Sequence, residues 1–497
     1  MATAAPKDDT KISGHNDLAP TTSYVDGEVL DAGIDYGYFN ASKFTKFYRS
    51  VLFQMILLGL LSCVGPAMSD AISNLGGGGL STPYLANLAT SLNYTAGCLL
   101  TLFGGPLINK FGIKWSCIIA AVGMPLSGSA YYVCAKYRVN WYLIFAKILT
   151  GFTYGFLYVA ESTAMLSYPL ANDRGFYLGV WSAMRNSGSV IGGAINFSNN
   201  HSDSKAGGVA WSTYLVFIAF ECTGLVWAFL LSPTRRVRRH DATKVAMSER
   251  ASWKQEFAAL WKHLQRKKPW SQALADIEIE TWLMALPAFY SFFCGGTMGT
   301  YLSLHFSVRA RALSSLLLPT LSIVEVILYG KLLDRTRWSQ TKRAWISFAC
   351  WLIPQAACFI WIGIEYSKFG GSKLENALDY ETRWVEAYLP YLIMQSTSYV
   401  CQLSLYWILG TFSIDAGSSA RSGGLLRAFE TAGQTVSYAI NSHSGSDARI
   451  PFYVHAAILC LTIPCMVFLI RLVPEAPAAT DIDVEPVVDS PANKQVD

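Results

Sequence analysis

The feature that most constrains this chain is a series of mostly apolar stretches, each about 20 residues long, the length that crosses a bilayer as a helix. Lipid offers backbone amides no partner, so each stretch predicts a membrane-spanning α-helix. Twelve such stretches fall into two groups of six around a polar interval, which predicts an all-α polytopic membrane protein of two six-helix bundles. They cover residues 50–70, 85–108, 115–134, 141–165, 176–197 and 211–231, then 282–304, 313–332, 344–364, 387–412, 422–441 and 452–472.

The charged fraction agrees with lipid as the solvent for most of this chain. Only 15% of its residues are charged, whereas soluble globular domains carry about 25%. The formal net charge of +5 is too small for a nucleic-acid-binding protein. The lipid bilayer is therefore the first partner that the sequence predicts, and nucleic acid is excluded.

Basic residues concentrate in the interval between the two groups of apolar stretches. Loops rich in Lys and Arg stay on the cytosolic side of a membrane. We therefore predict a basic cytosolic linker at 232–281 between helix bundles at 49–231 and 282–472. An even number of spans places both termini in the cytosol as disordered tails, 1–48 and 473–497, in a protein of the plasma membrane or an endomembrane.

Part of this linker has the spacing of a surface helix. Large apolar residues recur there every three or four positions among basic ones, at Trp253, Phe257, Leu260, Trp261 and Leu264. A helix of this kind buries its apolar face at the boundary between headgroups and acyl chains. We expect an amphipathic helix on the inner leaflet.

The predicted loop 196–210 falls on the opposite, non-cytosolic side and carries two glycosylation sequons. They are Asn196-Phe-Ser and Asn200-His-Ser. Both asparagines are predicted to accept N-linked glycans, because such sequons are used on the non-cytosolic face.

A short pattern recurs at equivalent places in the two halves. Each copy has a Gly at the end of an apolar stretch, a Leu two residues on, an acid or amide four residues on, and then a base. The first copy contains Gly105, Asn109, Lys110, Gly112 and Lys114, and the second contains Gly330, Asp334 and Arg335. Recurrence in both halves indicates a duplicated bundle.

This pattern resembles the loop between spans two and three of the major facilitator superfamily, whose members are secondary transporters of two six-helix bundles. The resemblance implies a conformational latch. Its Gly permits close helix approach, its acid accepts from a helix N-terminus, and its bases pair across the halves in one conformation. Asn109 replaces the acid in the first copy, so either the latch is weaker here or the second copy does more of the work.

The fifth and eleventh stretches repeat a second pattern. Gly179 and Gly188 are nine residues apart, as are Gly424 and Gly433. Small residues of this kind permit tight contact between membrane helices.

Further stretches resemble the fungal uncoordinated-93-like group of this superfamily. They are the glycine run 76–79, the segment 151–161, and 173–175 leading into 181–186. The resemblance keeps two functions open, because some animal members are described as partners or regulators of other membrane proteins.

Ionisable residues deep in a membrane span normally face a cavity or pair with one another. Arg185, followed by Asn186, lies near the middle of the fifth stretch, and Glu325 lies at a similar depth in the eighth. The resemblance places these two helices side by side. We therefore predict an Arg185–Glu325 pair that lines a central path, with a fixed structural pair as the alternative.

Four other ionisable residues belong to the candidate path or to its coupling. Arg427 and Glu430 are three residues apart, so they share a helical face and can satisfy each other. Glu221 and Glu161 are candidates for proton coupling, because burial favours a protonated carboxyl; hydrogen bonds to neighbouring helices are the structural alternative. Lys147 lies near a helix end, can snorkel to the surface and is given no function.

The sequence does not predict an enzyme or a cofactor. Its eleven cysteines lie in or beside apolar stretches without a CxxC pair, and it has no Walker loop, HExxH or GxSxG. Abundant aromatic residues in the spans suit a bulky, partly apolar small molecule. We predict a secondary active transporter of such a metabolite, with protons as the candidate coupling ion, and a non-transporting regulator of membrane proteins as the alternative.

Overall fold

The structure is a computed structural model of the 497-residue chain. It describes residues 23–25, 28–30, 33–75, 78, 80, 83–170, 173–201, 211–245, 252–265, 278–369, 377–380, 383–412, 416–443, 447 and 449–476.

The described chain is almost entirely helical. Two three-residue strands, β1 (Ser23–Val25) and β2 (Glu28–Leu30), pair antiparallel ahead of the short helices α1 (Tyr36–Phe39) and α2 (Lys43–Arg49). The first bundle comprises α3 (Val51–Val64), α4 (Pro66–Ser73), α5 (Pro83–Leu102), α6 (Gly104–Tyr137), α7 (Asn140–Ser167), α8 (Arg174–Asn200) and α9 (Trp211–Leu230). After α10 (Trp253–Gln265), the second comprises α11 (Glu278–Ser291), α12 (Cys294–His305), α13 (Val308–Leu333), α14 (Gln340–Phe369), α15 (Trp384–Phe412), α16 (Ala416–Ile440) and α17 (Arg449–Leu472).

The predicted all-α fold of two six-helix bundles is confirmed, with the first span of each bundle broken in two. Six helices of the described chain, namely α6, α7, α9, α13, α14 and α17, are long and apolar enough to cross a membrane alone, and the bent pair α3–α4 makes a seventh. Spans such as α5, α8 and α16 are more polar and pack in the interior, α5 against α16 and α8 against α13. Interior faces tolerate small and polar residues that lipid-facing ones do not.

Contacts between the bundles are most extensive along two pairs of helices, α8 with α13 and α5 with α16, and α16 also packs against α6 and α7. The expected neighbourhood of the fifth and eighth spans is therefore confirmed. The repeated glycines explain how the backbones come so close. Gly179 faces α13 and Gly188 faces α3, whereas Gly424 faces α5 and Gly433 faces α11. In each bundle, the first glycine of the pattern contacts the opposite bundle and the second contacts the first span of its own.

The end of the predicted tail 1–48 that the structure describes is ordered. Residues 33–48 contain α1 and α2 and lie against the start of the linker, where Arg238 forms an ion pair of 2.7 Å with Asp35. The Arg238 guanidinium lowers the pKa of that carboxyl. The backbone of Arg238 also accepts from the amide of Val51 and donates to the carbonyl of Arg49. Backbone pairing and charge together hold this segment, which sequence polarity alone did not indicate.

Candidate transport path

The first span of each bundle is interrupted at an equivalent place. Helices α3 and α4 meet at Gly65 with a bend of 40°, and Pro66 occupies the first turn of α4. Proline suits a first helical turn because its missing amide would be unpaired there anyway. In the second bundle α11 ends at Ser291 and α12 begins at Cys294. Interrupted helices in corresponding positions of two repeats commonly mark a binding site in transporters.

A central cavity opens between the bundles at these two breaks. Its empty volume is about 930 Å³, including the part that opens towards solvent. Polar groups on its wall include Asp70, Arg185 and Asn186 from the first bundle and Gln395 and Gln434 from the second. Aromatic rings complete the wall, supplied by Tyr94, Phe292, Tyr391, Tyr399 and Tyr438.

Arg185 pairs with Asp70, not with Glu325 as predicted. Its Nη2 lies 2.8 Å from Asp70 Oδ2, and the side chains are 7% and 35% exposed, respectively. Glu325 instead accepts a hydrogen bond of 3.1 Å from the hydroxyl of Ser396 on α15. The Glu325 carboxylate is therefore engaged within its own bundle and not with Arg185.

The amide of Asn186 is bonded to its own helix. It donates a 2.8 Å hydrogen bond to the carbonyl of Ser182. The side chain also lines the central cavity. Local hydrogen bonding therefore fixes its orientation at the wall.

Arg427 and Glu430 form the ion pair that their spacing predicts. The pair is fully buried in α16, and the Glu430 carboxylate also accepts from Tyr406 at 3.3 Å and from Gln402 at 3.5 Å. The Arg427 guanidinium lies 4.4 Å from the ring centre of Tyr158 in the opposite bundle. Neither charged residue is on the wall of the central cavity, so the pair connects the bundles beside the path.

Glu161 and Glu221 are buried inside the first bundle, away from the wall of the central cavity. Glu161 accepts from the hydroxyl of Ser62. Glu221 accepts a 2.9 Å hydrogen bond from the amide of Gly128. These contacts match the structural alternative for both carboxyls, namely hydrogen bonds to neighbouring helices.

Lys147 is buried rather than snorkelling to the surface. Its Nζ donates to the hydroxyl of Ser127 at 3.0 Å and lies 4.3 Å from the ring centre of Tyr131. It also lines a smaller cavity of about 320 Å³ within the first bundle, and Asp70 lies on the wall of both cavities. The position of α7 between α5 and α6 turns this lysine inward.

Asp70 is the important residue that sequence reasoning missed. It is the carboxylate on the wall of the central cavity in the described chain. A signal was present, because Gly65-Pro66 interrupts the first apolar stretch and Asp70 follows four residues later. Gly295-Gly296 comes just after the equivalent interruption of the seventh, in the first turn of α12.

One end of the two-bundle assembly carries both copies of the repeated loop, and we call it the latch end. In the second copy Asp334, just beyond α13, accepts from the amide of Gly175 at 2.7 Å and from that of Phe176. Both amides belong to the first turn of α8 in the opposite bundle. A Cβ on Gly330 would lie 2.6 Å from the carbonyl oxygen of Gly175. The expected roles of this Gly and this acid are therefore matched by the contacts.

The first copy makes a different contact. Gly105 abuts the backbone of Arg421 at the start of α16, and Gly112 adopts a φ of 77° that interrupts α6. That φ favours glycine. Asn109 donates a 3.0 Å hydrogen bond to the carboxylate of Glu256 on α10. The amide of this copy thus meets an acid from the linker.

The bases of the latch were expected to pair across the bundles, and the contacts described for them are with nearby carbonyls and rings. Lys114 donates to the carbonyl of Phe229 at the end of α9 at 2.9 Å. Arg335 stacks over Trp338 in its own loop at 4.7 Å. Lys110 lies 5.5 Å from the ring of Trp253 on the linker helix. Flexible cations at helix ends are satisfied by nearby carbonyls and rings.

The glycosylation prediction at Asn196 is corrected. This residue is fully buried in α8, and its amide nitrogen donates a 2.9 Å hydrogen bond to the carbonyl of Ala71. A glycan on that nitrogen has no room. The side chain of Asn200 lies outside the described residues, so its glycosylation stays a prediction.

Comparison with known proteins identifies the family of this chain. The model of the Major Facilitator Superfamily matches residues 51–437. The Notoamide biosynthesis cluster protein O' of Aspergillus versicolor is 32% identical over 397 residues, covering 80% of this chain and 83% of the relative. UNC93-like protein 1 of Arabidopsis thaliana is 26% identical over 436 residues, covering 85% and 90%, respectively.

Solved structures agree on the fold. A D-xylose–proton symporter superposes with a TM-score of 0.56 at 16% identity, covering 86% of this chain and 98% of the symporter. The fucose–proton symporter of E. coli gives 0.53 at 13% identity, with the same coverage. The chain therefore belongs to the major facilitator superfamily of membrane transporters and is similar to its uncoordinated-93-like proteins.

Proposed function

We propose that this chain is a secondary active transporter that moves a bulky, partly apolar metabolite by alternating access. The observation that carries the proposal is the Asp70–Arg185 ion pair on the wall of a cavity between two bundles that are latched at one end. A transporter of this type needs a central site that is reachable from only one side at a time.

The cavity lies in the half of the molecule away from the latch end. Helices α8 and α16 start at the latch end and contribute Ser189, Gln434 and Tyr438 from their middle or far parts. Helices α13 and α15 run the other way and contribute Leu318 and Tyr391 from their early parts. With the basic linker and the latch end in the cytosol, this conformation faces outward.

The wall chemistry indicates the class of substrate. Five aromatic rings surround a few amide and hydroxyl groups, which suits a molecule with an apolar body and several hydrogen-bonding groups. The relative from A. versicolor is named for a biosynthesis cluster, and that name supports a secondary metabolite as the substrate. The non-transporting alternative would require a filled interior and a large apolar face for a partner; the cavity argues for transport.

Asp70 is the natural site for proton coupling. Its carboxylate is about one-third exposed to the cavity while it holds Arg185. A proton or a cationic substrate group that neutralises Asp70 removes the partner of a buried guanidinium, which is a costly state. Binding is therefore linked to a rearrangement of Arg185, and the free energy of that rearrangement couples the proton to the conformational change.

The test uses the full chain in liposomes that enclose a pH-sensitive dye. A panel of aromatic, hydrogen-bonding metabolites is applied with and without an imposed pH gradient. We expect at least one compound to move protons, Arg185→Ala to abolish its flux, and Asp70→Asn to abolish its dependence on the gradient. Arg449→Gln is the matched control, because it removes a similar ion pair, with Asp447, at a site outside the cavity. Normal flux kinetics in Arg185→Ala would contradict the proposed path.

A further inference from the structure

We call the two copies of the repeated loop the first and the second latch. The first latch makes a tight contact between the bundles, but its loop has no acid at position 109. A Cβ on Gly105 would lie 2.8 Å from the Cα of Arg421, so the first turns of α16 rest directly on this loop. In the second latch the equivalent position is Asp334, whose carboxylate accepts from the opposite bundle. Asn109 at the corresponding place has no charge to offer Arg421.

A carboxylate from the linker fills this position. Glu256 Oε2 accepts from Asn109 Nδ2 at 3.0 Å and lies 3.9 Å from Arg421 Nη1. The Glu256 residue is only 4% exposed. A carboxylate is buried to this degree only when charged or hydrogen-bonding groups compensate it, and here one such group comes from each bundle.

The start of the linker helix α10 is stabilised by local hydrogen bonds, which hold Glu256 in this position. Ser252 and Gln255 exchange hydrogen bonds between side chain and backbone at the start of α10, a capping box that stabilises the first turn. Glu256 and Leu260, one helical turn apart, are both buried against the bundles.

The adjoining strip of α10, next to these two buried residues, faces the surroundings. Trp253, Phe257 and Trp261 repeat every four residues and are each more than 40% exposed. The rings of Phe103 and Phe111 lie within 6.3 Å of this stripe. Such an aromatic stripe suits the interface between headgroups and acyl chains, which holds the helix at the membrane surface beside the latch.

We propose that Glu256 is the acid of the first latch, supplied by the linker in place of the one that Asn109 lacks. Docking of α10 then stabilises the state in which the latch end is closed, and undocking of α10 releases it. Glu256 is a positioning residue that acts on the conformational equilibrium. The inference rests on the proposed alternation between two states, but its test requires no substrate.

The experiment measures hydrogen–deuterium exchange of the full chain in lipid nanodiscs. Glu256→Gln keeps the shape of the side chain and removes its charge. Because a hydrogen bond to a charged group contributes more than a neutral one, we expect roughly tenfold faster exchange in α10 and in residues 416–425. Exchange within α14 should stay unchanged, which shows that the fold is intact. Glu386→Gln is the control, since it removes a carboxylate that is 63% exposed.

A second variant decides whether the charge itself matters. Asn109→Asp combined with Glu256→Gln returns the acid to the loop, so protection of residues 416–425 should recover. The proposal is overturned if Glu256→Gln exchanges like the wild type, or if the double variant remains as unprotected as the single one with α14 intact. An absence of flux in liposomes would count against the proposed transport without changing these exchange rates, so the two failures are distinguishable.

Discussion

The contact between Gly330 and Gly175 provides the sharpest prediction about the latch. Replacing Gly330 with Ala places a Cβ 2.6 Å from the carbonyl oxygen of Gly175, where ordinary contacts begin at 3.4 Å. The obstacle is backbone at a helix start, so it cannot rotate away. Helices α8 and α13 must separate by about 0.8 Å, the difference between those two distances, and overpacking of this kind costs roughly 1–3 kcal/mol.

This cost applies only while the latch end is closed. Asp334, one helical turn beyond Gly330, would be drawn away from the amides of Gly175 and Phe176 by the same movement. The closed state is therefore expected to lose about 5- to 150-fold in population relative to the open state. Helix propensity works in the other direction, because Ala is favoured over Gly by about 1 kcal/mol.

The assay is hydrogen exchange of residues 174–182 in the Gly330→Ala variant, compared with Gly363→Ala. The control has the same gain in helix propensity, but its new Cβ meets its nearest neighbour, Phe452, at an ordinary 3.7 Å. We expect faster exchange at the start of α8 in the first variant only. Equal protection in the two variants, with both folded, would refute the claim that this glycine contact is required for closure.

Two further predictions concern pH and glycosylation. Burial raises the pKa of Asp334 to about 6 despite its two amide hydrogen bonds, whereas a carboxyl released into water has a pKa of about 3.9. The closed state therefore binds the proton more tightly than the open state. It gains stability as the pH falls through about 6 and loses this stability as the pH rises. Exchange at the start of α8, corrected for its intrinsic pH dependence, should follow this trend in the wild type and lose it in Asp334→Asn. Because Asn196 is buried, Asn196→Gln should leave any glycan-dependent shift in gel mobility unchanged after expression in a eukaryotic membrane; loss of a glycan in this variant would contradict its buried position.

Only part of the candidate site could be predicted from the sequence. Several ionisable residues were found because charge inside an apolar stretch is visible in the sequence, although Asp70 was missed. The spacing of Arg427 and Glu430 was enough to pair them. The partner of Arg185 was assigned wrongly. Helical depth placed Glu325 at a suitable level, but depth contains no information about rotation around the helix axis. The bend at Gly65 determines where Asp70 points, and Glu325 points towards Ser396 of α15.

The residues of the latch were likewise predicted in part from the sequence and decided in part by the tertiary structure. The two glycines and the retained Asp334 were recognised from their positions in the repeat, and their contacts follow from local geometry. The replacement at Asn109 was visible, but its compensation was not, since Glu256 is 147 residues further along the chain. Burial of that carboxylate depends on three separate segments meeting at one place.

The sequence by itself determined the number of spans, the division into two bundles and the family, because each depends on hydropathy or on short local patterns along the chain. Tertiary structure decided which charges meet, which lysine is buried and where the cavity lies. Those outcomes depend on helix bends and on rotations about helix axes, and both are set by packing between segments that are remote in sequence.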